Sequence, residues 1–254
     1  MKPYPLTRSN RIQLARLFTN VPRVDISIDC VLEDQMGKAF VDSVDNPRYA
    51  MIEIDEFFCY LAGDFTQPAG QNFIEQMPSG RMVMAGSESW HEAIQSFKDK
   101  NHFKPITRYR YSSRTLSHNY LQTLAIRYSY TPHIQRIDKT IAKMGLPYFE
   151  IGAFDSPEDF VQRGIGYCLL DENKALIGII YSSLVNSHAV EVSIVVQPEH
   201  QRRGIATALS CQFLMWCLDR QIEPHWDAAN PESCYLAEKL GYKALGEYTA
   251  YVSQ

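Results

Sequence analysis

The stretch "VVQPEHQRRGIATAL", residues 195–209, constrains the fold of this chain more than any other. Apolar strand residues stop at Pro198, two arginines and a glycine follow, and an apolar periodic run starts at once. Proline cannot sit inside a central strand, so the pattern predicts strand, turn and helix in quick succession. In the expected helix Ile205, Leu209, Phe213 and Trp216 recur at i, i+4, i+8 and i+11, which puts one stripe toward a core. The first turn of a helix leaves N–H groups unpaired and carries partial positive charge. Gly204 has no side chain to block that mouth, and Arg202 and Arg203 add fork-shaped cationic donors. Together these features make a cradle for a pyrophosphate. A plain loop-to-helix junction with solvated arginines would use the same three letters. Neither a GxxxxGK[ST] loop nor a Rossmann fingerprint is present.

Composition bounds what surrounds this element. With 254 residues, 45% of them hydrophobic, the chain can form one large domain or two small ones. A net charge of −4 gives no support to nucleic-acid binding. The six cysteines are scattered without a CxxC pair, which reads as buried thiols in a reducing compartment. The seven histidines are equally dispersed, so no metal site is expected. The start, "MKPYPLTRSNRIQLARLF", has no apolar core of signal-peptide length, and no segment is apolar for the roughly 20 residues that span a bilayer. A cytoplasmic protein with no membrane or nucleic-acid partner is the expectation.

Along the first half, strand-like and helix-like stretches alternate through "VDISIDCVLE", "YAMIEIDEFFCYLAGD", "GQNFIEQM", "RMVMAG" and "SWHEAIQSFKDK" (89–100). "ITRYRYSS" (106–113) follows with strand alternation. Ser89 with Glu92 has the spacing of a capping box. The polar, tyrosine-rich segment 114–132 is expected to hold the boundary between an N-terminal α/β domain, 1–128, and a second domain, 129–254. In the second half the pattern predicts helices near 137–143 and after Ser156-Pro157. Three strands come next ("IGYCLLD", "ALIGIIYSSLV", "AVEVSIVV"), then the helix from Gly204 to Asp219. A short strand at "PHWDAA", a helix at 231–240 and a last strand "EYTAYVS" complete it. The fold class is therefore α/β (α+β): a meander followed by strand–helix–strand–helix–strand, in a mixed sheet flanked by helices.

"QRRGIA" (Gln201–Ala206) after a strand resembles the Q/R-x-x-G-x-G/A signature of the GNAT N-acetyltransferase superfamily. "NPESCYLAEKLGY" (230–242) resembles its second signature, an Asn before a helix that ends in Leu-Gly-aromatic. With "PEDFVQRGIGYCLL" and "PHWDAANPES" the likeness covers residues 130–254 and points to a branch with an extra N-terminal domain. The first half has no motif of its own. Its strand–strand–helix order echoes the second half, so a degenerate second GNAT-like copy is one reading of it.

The resemblance implies acetyl-CoA as co-substrate, a small-molecule or peptide amine as acceptor, and direct attack in a ternary complex. It implies that the backbone of Ile194, Val195 and Val196 pairs with pantetheine as an added strand. It assigns the phosphates to Gln201, Arg202, Arg203, Gly204, Ile205, Ala206 and Thr207. Asn230 and Ser233 would hold the pantetheine arm. Read alone, Asn230 fits an N-cap, Pro231 fits N1, and Lys239 and Gly241 fit the C-terminal end.

An amine of pKa about 10.4 is almost wholly protonated at neutral pH, so a general base helps. Glu191 is the carboxylate on the strand before the cradle, on the face opposite Val190 and Val192. In some GNAT enzymes a glutamate similarly placed is the base; a solvent-facing strand glutamate is the competing reading. His188, in the turn, is the weaker candidate. Many members carry a tyrosine seven residues after the Asn, as general acid; here that residue is Ala237. Tyr235 is about 200° round the helix from it. Either Tyr242 or Tyr248 substitutes, or solvent protonates the thiolate, or catalysis has been lost. The class is thus an acetyl-CoA-dependent N-acetyltransferase. A silent CoA-binding regulatory module and an acyltransferase using another acyl-CoA are its rivals. The oligomeric state stays open, a homodimer included.

Overall fold

A computed structural model describes residues 2–7, 9–63, 65, 69–97, 102–147, 149, 151 and 153–254. Residue 64 and residues 98–100, the ends of two expected stretches, lie outside them. The chain divides into two compact units, one of residues 1–108 with 247–254, the other of residues 109–246. The first contains strands β1 (Lys2–Pro3), β2 (Lys38–Val41), β3 (Tyr49–Ile54), β4 (Phe58–Gly63) and β5 (Met82–Ala85). Its helices are α1 (Arg11–Leu17), α2 (Ser27–Leu32), α3 (Ala69–Glu75) and α4 (Glu88–Gln95). Strand β6 (Phe103–Ser112) then carries the chain from the first unit into the second.

The second unit runs through α5 (His118–Ala125), β7 (Gln135–Arg136), α6 (Lys139–Ala142) and α7 (Pro157–Arg163). Next come β8 (Gly166–Leu170), β9 (Leu176–Val185), β10 (Ala189–Val196), α8 (Ile205–Asp219), β11 (Glu223–Ala228) and α9 (Pro231–Leu240). Strand β12 (Lys243–Ser253) returns the chain to the first unit.

Both units are mixed sheets flanked by helices, and their strand orders correspond. The first reads β1-β2-β3-β4-β5-β12 and the second β7-β8-β9-β10-β11-β6. In each, antiparallel pairs lead up to one parallel pair, β4 with β5 or β10 with β11. A helix, α3 or α8, precedes the second strand of that pair, as a parallel crossover requires. In each, an antiparallel strand from the other half of the chain closes the order: Tyr251 opposite Val83, and Trp226 opposite Tyr111. The echo between the halves is therefore a repeated topology with exchanged closing strands.

Three sequence expectations differ from this arrangement. The boundary expected at 128/129 falls instead at 108/109, with a second crossing at 246/247. The cause is α5, which the polar segment 114–132 conceals: Leu121, Leu124 and Ala125 form a buried face that packs on α8. The cap of α4 is Ser87, in extended backbone, and not Ser89, which lies inside the helix. Finally, α8 buries more than one stripe: Ala208, Ser210, Cys211, Leu214 and Cys217 are buried along with Ile205, Leu209 and Phe213, whereas Trp216 is half-exposed.

The two parallel pairs differ where function is at stake. β4 and β5 are paired from Phe58–Met82 through Leu61–Ala85, the whole length of β5. The core beneath is filled by Tyr49, Phe73 and Trp90, whose indole donates to Gly63 O at 2.8 Å. β10 and β11 are paired only from Ala189–Glu223 to Glu191–His225. Beyond that point, among the described residues, β9 is the one strand that pairs with β10, while Trp226, Asp227 and Ala228 of β11 pair with β6. A register shift against β9 between Glu191 and Val192 marks the start of the divergence. A bulge of this kind bends and twists a strand.

Candidate functional site

The fork between β10 and β11 opens beside the N-terminus of α8. Residues Val192–Val196 keep one edge on β9, Ile194 opposite Ile180 and Val195 opposite Ile179. Their other edge has no ladder pairing with β11 among the described residues, so backbone groups of an interior strand are left without a strand partner there. Buried backbone groups need partners, and an extended amide-bearing ligand supplies them by strand addition.

From Val196 the chain makes a short 3-10 turn, Pro198–His200, and enters α8 through two left-handed residues, Arg202 (φ +57°) and Gly204 (φ +86°). The Gln201 side-chain amide donates to Val196 O at 3.0 Å, which braces the loop on the strand. The Arg203 guanidinium lies 3.3 Å from His200 Nδ1, and the Arg202 and Arg203 side chains are exposed. Ala208 N–H bonds back to Gly204 O at 3.0 Å, and Gly204 offers no side-chain cap. The first-turn N–H groups of Ile205, Ala206 and Thr207 therefore have no intrahelical acceptor. These amides and the free edge of β10 suit the phosphates and the pantetheine of a CoA thioester, which supplies an activated acyl group when bound.

Gly204 has a second reason to be glycine that the sequence did not disclose. A Cβ there would fall 2.2 Å from Cε1 of Tyr128. The Tyr128 hydroxyl accepts from Lys239 Nζ at 2.9 Å, and that ammonium also lies 5.5 Å from the ring centroid. Tyr128 and Lys239 thus border the cradle. Only tertiary packing brings them there, so no local pattern could have found them.

At the head of α9, Asn230 is extended and its Oδ1 accepts from Ser233 N–H at 2.8 Å, the cap expected of it. The Ser233 hydroxyl accepts from Trp226 Nε1 at 3.1 Å. Ala237 is fully buried, and Tyr235 is 70% exposed, turned away from it. Tyr242 is buried, and its hydroxyl donates to Pro224 O at 3.0 Å. Burial first, then the thiol of Cys217 and the carboxylates of Glu191 and Glu223, push this phenol well above its usual range. Tyr248 lies in the first unit, where its phenol adds to the field that raises Tyr60. His188 stays in the β9–β10 turn, with its ring on the Ser187 hydroxyl.

Glu191 is buried rather than solvent-facing. It occupies the last paired position before the fork, directly opposite His225, and its Oε2 lies 3.7 Å from His225 Nδ1. The sequence pointed to Glu191 but not to His225, which reveals itself only through the register of β10 on β11.

Comparison with known proteins agrees with this geometry. The family model for GNAT acetyltransferase matches residues 15–251. The chain belongs to the GNAT acetyltransferase family. The match spans both units, so the family's chemistry, acyl transfer, frames the site. An uncharacterized N-acetyltransferase of Bacillus subtilis, YdfB, is 25% identical over 230 residues, 85% of each chain. A GCN5-related N-acetyltransferase-like protein of Streptococcus suis superposes with a TM-score of 0.83 at 24% identity, covering 97% of this chain and 99% of its own. A tandem GNAT protein of the clavulanic acid biosynthesis pathway superposes at 0.55 with 12% identity, over 99% and 98% of the two chains. Both superpositions speak to the GNAT fold. Among the described residues no group of three or more His, Cys, Asp or Glu side chains could hold a metal, and no helix is long and apolar enough to cross a membrane.

Proposed function

We propose that the second unit binds acetyl-CoA and transfers its acetyl group to the amine of a small molecule or peptide. The observation that carries this reading is the fork after the Glu191–His225 pair, opening beside the uncapped first turn of α8. A strand edge without a partner and a helix mouth without a cap are complementary to the two ends of a CoA molecule. In this reading the backbone of Ile194, Val195 and Val196 meets pantetheine, and the amides of residues 202–207 meet the phosphates. Gln201 acts as the brace between them. Asn230 and Ser233 support the arm from the head of α9. Glu191, at the apex of the fork, takes the proton of the acceptor ammonium, so that a neutral nitrogen is presented to the thioester.

The first unit has the same strand order with its parallel pair closed along β5, so its reading is a GNAT-like copy without a CoA cleft. We assign it no CoA site. The departing thiolate is protonated by solvent, because Tyr235 is turned out to solvent and the Tyr242 hydroxyl is occupied in the core. That same observation favours one second reading, a CoA-binding regulatory module without turnover.

Calorimetry with CoA, followed by thiol release from acetyl-CoA against a panel of primary amines, tests both. One site per chain with amine-dependent release is the expected result. Binding without release under any amine would favour the regulatory module, and the absence of binding would end both readings.

A further inference from the structure

Parallel strands place in-register neighbours on the same face, so the pairing of Glu191 with His225 puts their side chains side by side. Asp227, two residues on along β11, shares that face. So does Arg110, opposite Asp227 on β6. The result is a polar row across three adjacent strands of a sheet whose other face, through Trp226 and Ala228, is packed in the core. The row begins at the apex of the fork. The His225 side chain is 23% exposed and that of Glu191 11%, so the imidazole lies on the solvent side of the pair.

We propose that His225 is the positioning partner of Glu191 and the outlet for its proton. This rests on the reading of Glu191 as the base of an acetyl transfer. An acceptor ammonium gives its proton to Glu191, leaving the bonding pair on nitrogen and forming an O–H bond. The proton passes from Oε2 to Nδ1 of the neutral His225 imidazole, which restores the carboxylate; the imidazolium loses its Nε2 proton to solvent, and exchange with solvent returns the remaining proton from Nδ1 to Nε2 before the next turnover. No co-reactant is consumed. At 3.7 Å the two atoms stop short of a hydrogen bond, so the transfer requires the pair to close when substrate fills the site, as catalytic hydrogen bonds commonly do. Histidine is suited to the task because its charge changes in the neutral range. Without an outlet, each proton taken from an acceptor would leave this buried carboxylate neutral and unable to serve again until water reached it.

Among the described residues, Glu223 and Asp227 share the face of His225 on β11, Arg110 lies opposite Asp227 on β6, and the Tyr242 phenol after α9 lies in the field of Glu191. From β9 the neighbours are Leu184, in register, and the Ser183 hydroxyl, which donates to Glu191 O at 3.4 Å. Removing the imidazole takes the nearest basic partner from a buried carboxyl, so the ionised form of Glu191 is less favoured and the carboxyl should hold its proton to higher pH.

The test uses the full chain and two independent readouts. The ¹⁵N signals of the His225 ring, which report how its two nitrogens are occupied, are compared at one neutral pH between wild type and Glu191→Gln; a changed Nδ1 signal is expected in the variant. The pH profile of kcat/KM is compared between wild type, His225→Gln and His225→Asn. The expected acidic limb moves to higher pH, with at least a tenfold loss of rate near neutrality and unchanged CoA affinity by calorimetry. An unchanged Nδ1 signal overturns the pairing, and needs no turnover to do so. A changed signal with an unmoved acidic limb overturns the proton outlet and leaves a structural pair. A changed signal together with a wild-type chain that acetylates no amine overturns the acyl-transfer reading itself, and the outlet with it.

Discussion

Tyr128 stands where the side chain missing from Gly204 would be, with Cε1 2.2 Å from the position of a Cβ. The glycine is therefore required twice, by its φ of +86° and by the ring laid on it. Gly204→Ala should cost about 1–2 kcal/mol for left-handed backbone, and more for the contact. Tyr128→Ala in the same chain should return the contact cost and leave the backbone cost. Chemical denaturation of wild type, both single variants and the double variant gives the coupling, expected at about 0.5 kcal/mol or more. Strict additivity would mean that the ring moves aside without resistance.

Tyr242→Phe separates packing from chemistry. The variant loses a buried hydrogen bond to Pro224 O, so stability should fall by about 0.5–1.5 kcal/mol. Turnover and CoA affinity should persist, as they should in Tyr235→Phe at the exposed ring. A rate loss of tenfold, about 1.4 kcal/mol of barrier, with unchanged CoA affinity in Tyr242→Phe would return that hydroxyl to the reaction as its acid.

Tyr60 in the first unit and Tyr242 in the second are buried phenols, both raised well above 10.0 by burial first. Tyr60 also donates to the buried carboxylate of Asp25, which adds to its shift. A raised phenol keeps its proton in the fold and loses it on unfolding. Its contribution is thus complete below the unfolded value near 10 and declines as pH rises past it, by up to about 1.4 kcal/mol per pH unit for each group. Denaturant midpoints measured from about pH 9 to 11 should show this fall, and Tyr60→Phe should make it shallower. An unchanged slope in that variant would show that Tyr60 ionises in the folded chain.

The thiols matter to any assay that counts released CoA. Burial pushes Cys59, Cys211 and Cys217 up to about 12 and Cys168 to about 11, and Cys30 is buried as well. Cys234 alone of the six is half-buried. Thiols of this kind react slowly because the thiolate is the nucleophile. Ellman's reagent should therefore find one reactive thiol in the native chain and six in denaturant. Several fast thiols in the native chain would contradict the burial of the other five.

What the sequence disclosed was local. Pro198, the glycine mouth of α8 and the Asn230-Pro231 cap each act within a few residues, and each stands where the pattern puts it. What it concealed was pairing. "EYTAYVS" reads as a strand, but nothing in it says that Tyr251 pairs with Val83, far earlier in the chain. α5 was hidden because only Leu121, Leu124 and Ala125 face inward and the rest of the segment is polar. Tyr128 and His225 carry no motif; one is placed by packing on α8, the other by a parallel register set after a crossover.

The central claim is that the forked second unit, and not the closed first unit, holds the CoA. Hydrogen exchange of the full chain, read by mass spectrometry with and without saturating acetyl-CoA, tests it most directly. The expected result is added protection in peptides covering residues 192–196 and 202–207, and none in peptides from residues 1–108. Protection confined to residues 1–108, or saturable binding that leaves 192–207 unprotected, would contradict the account.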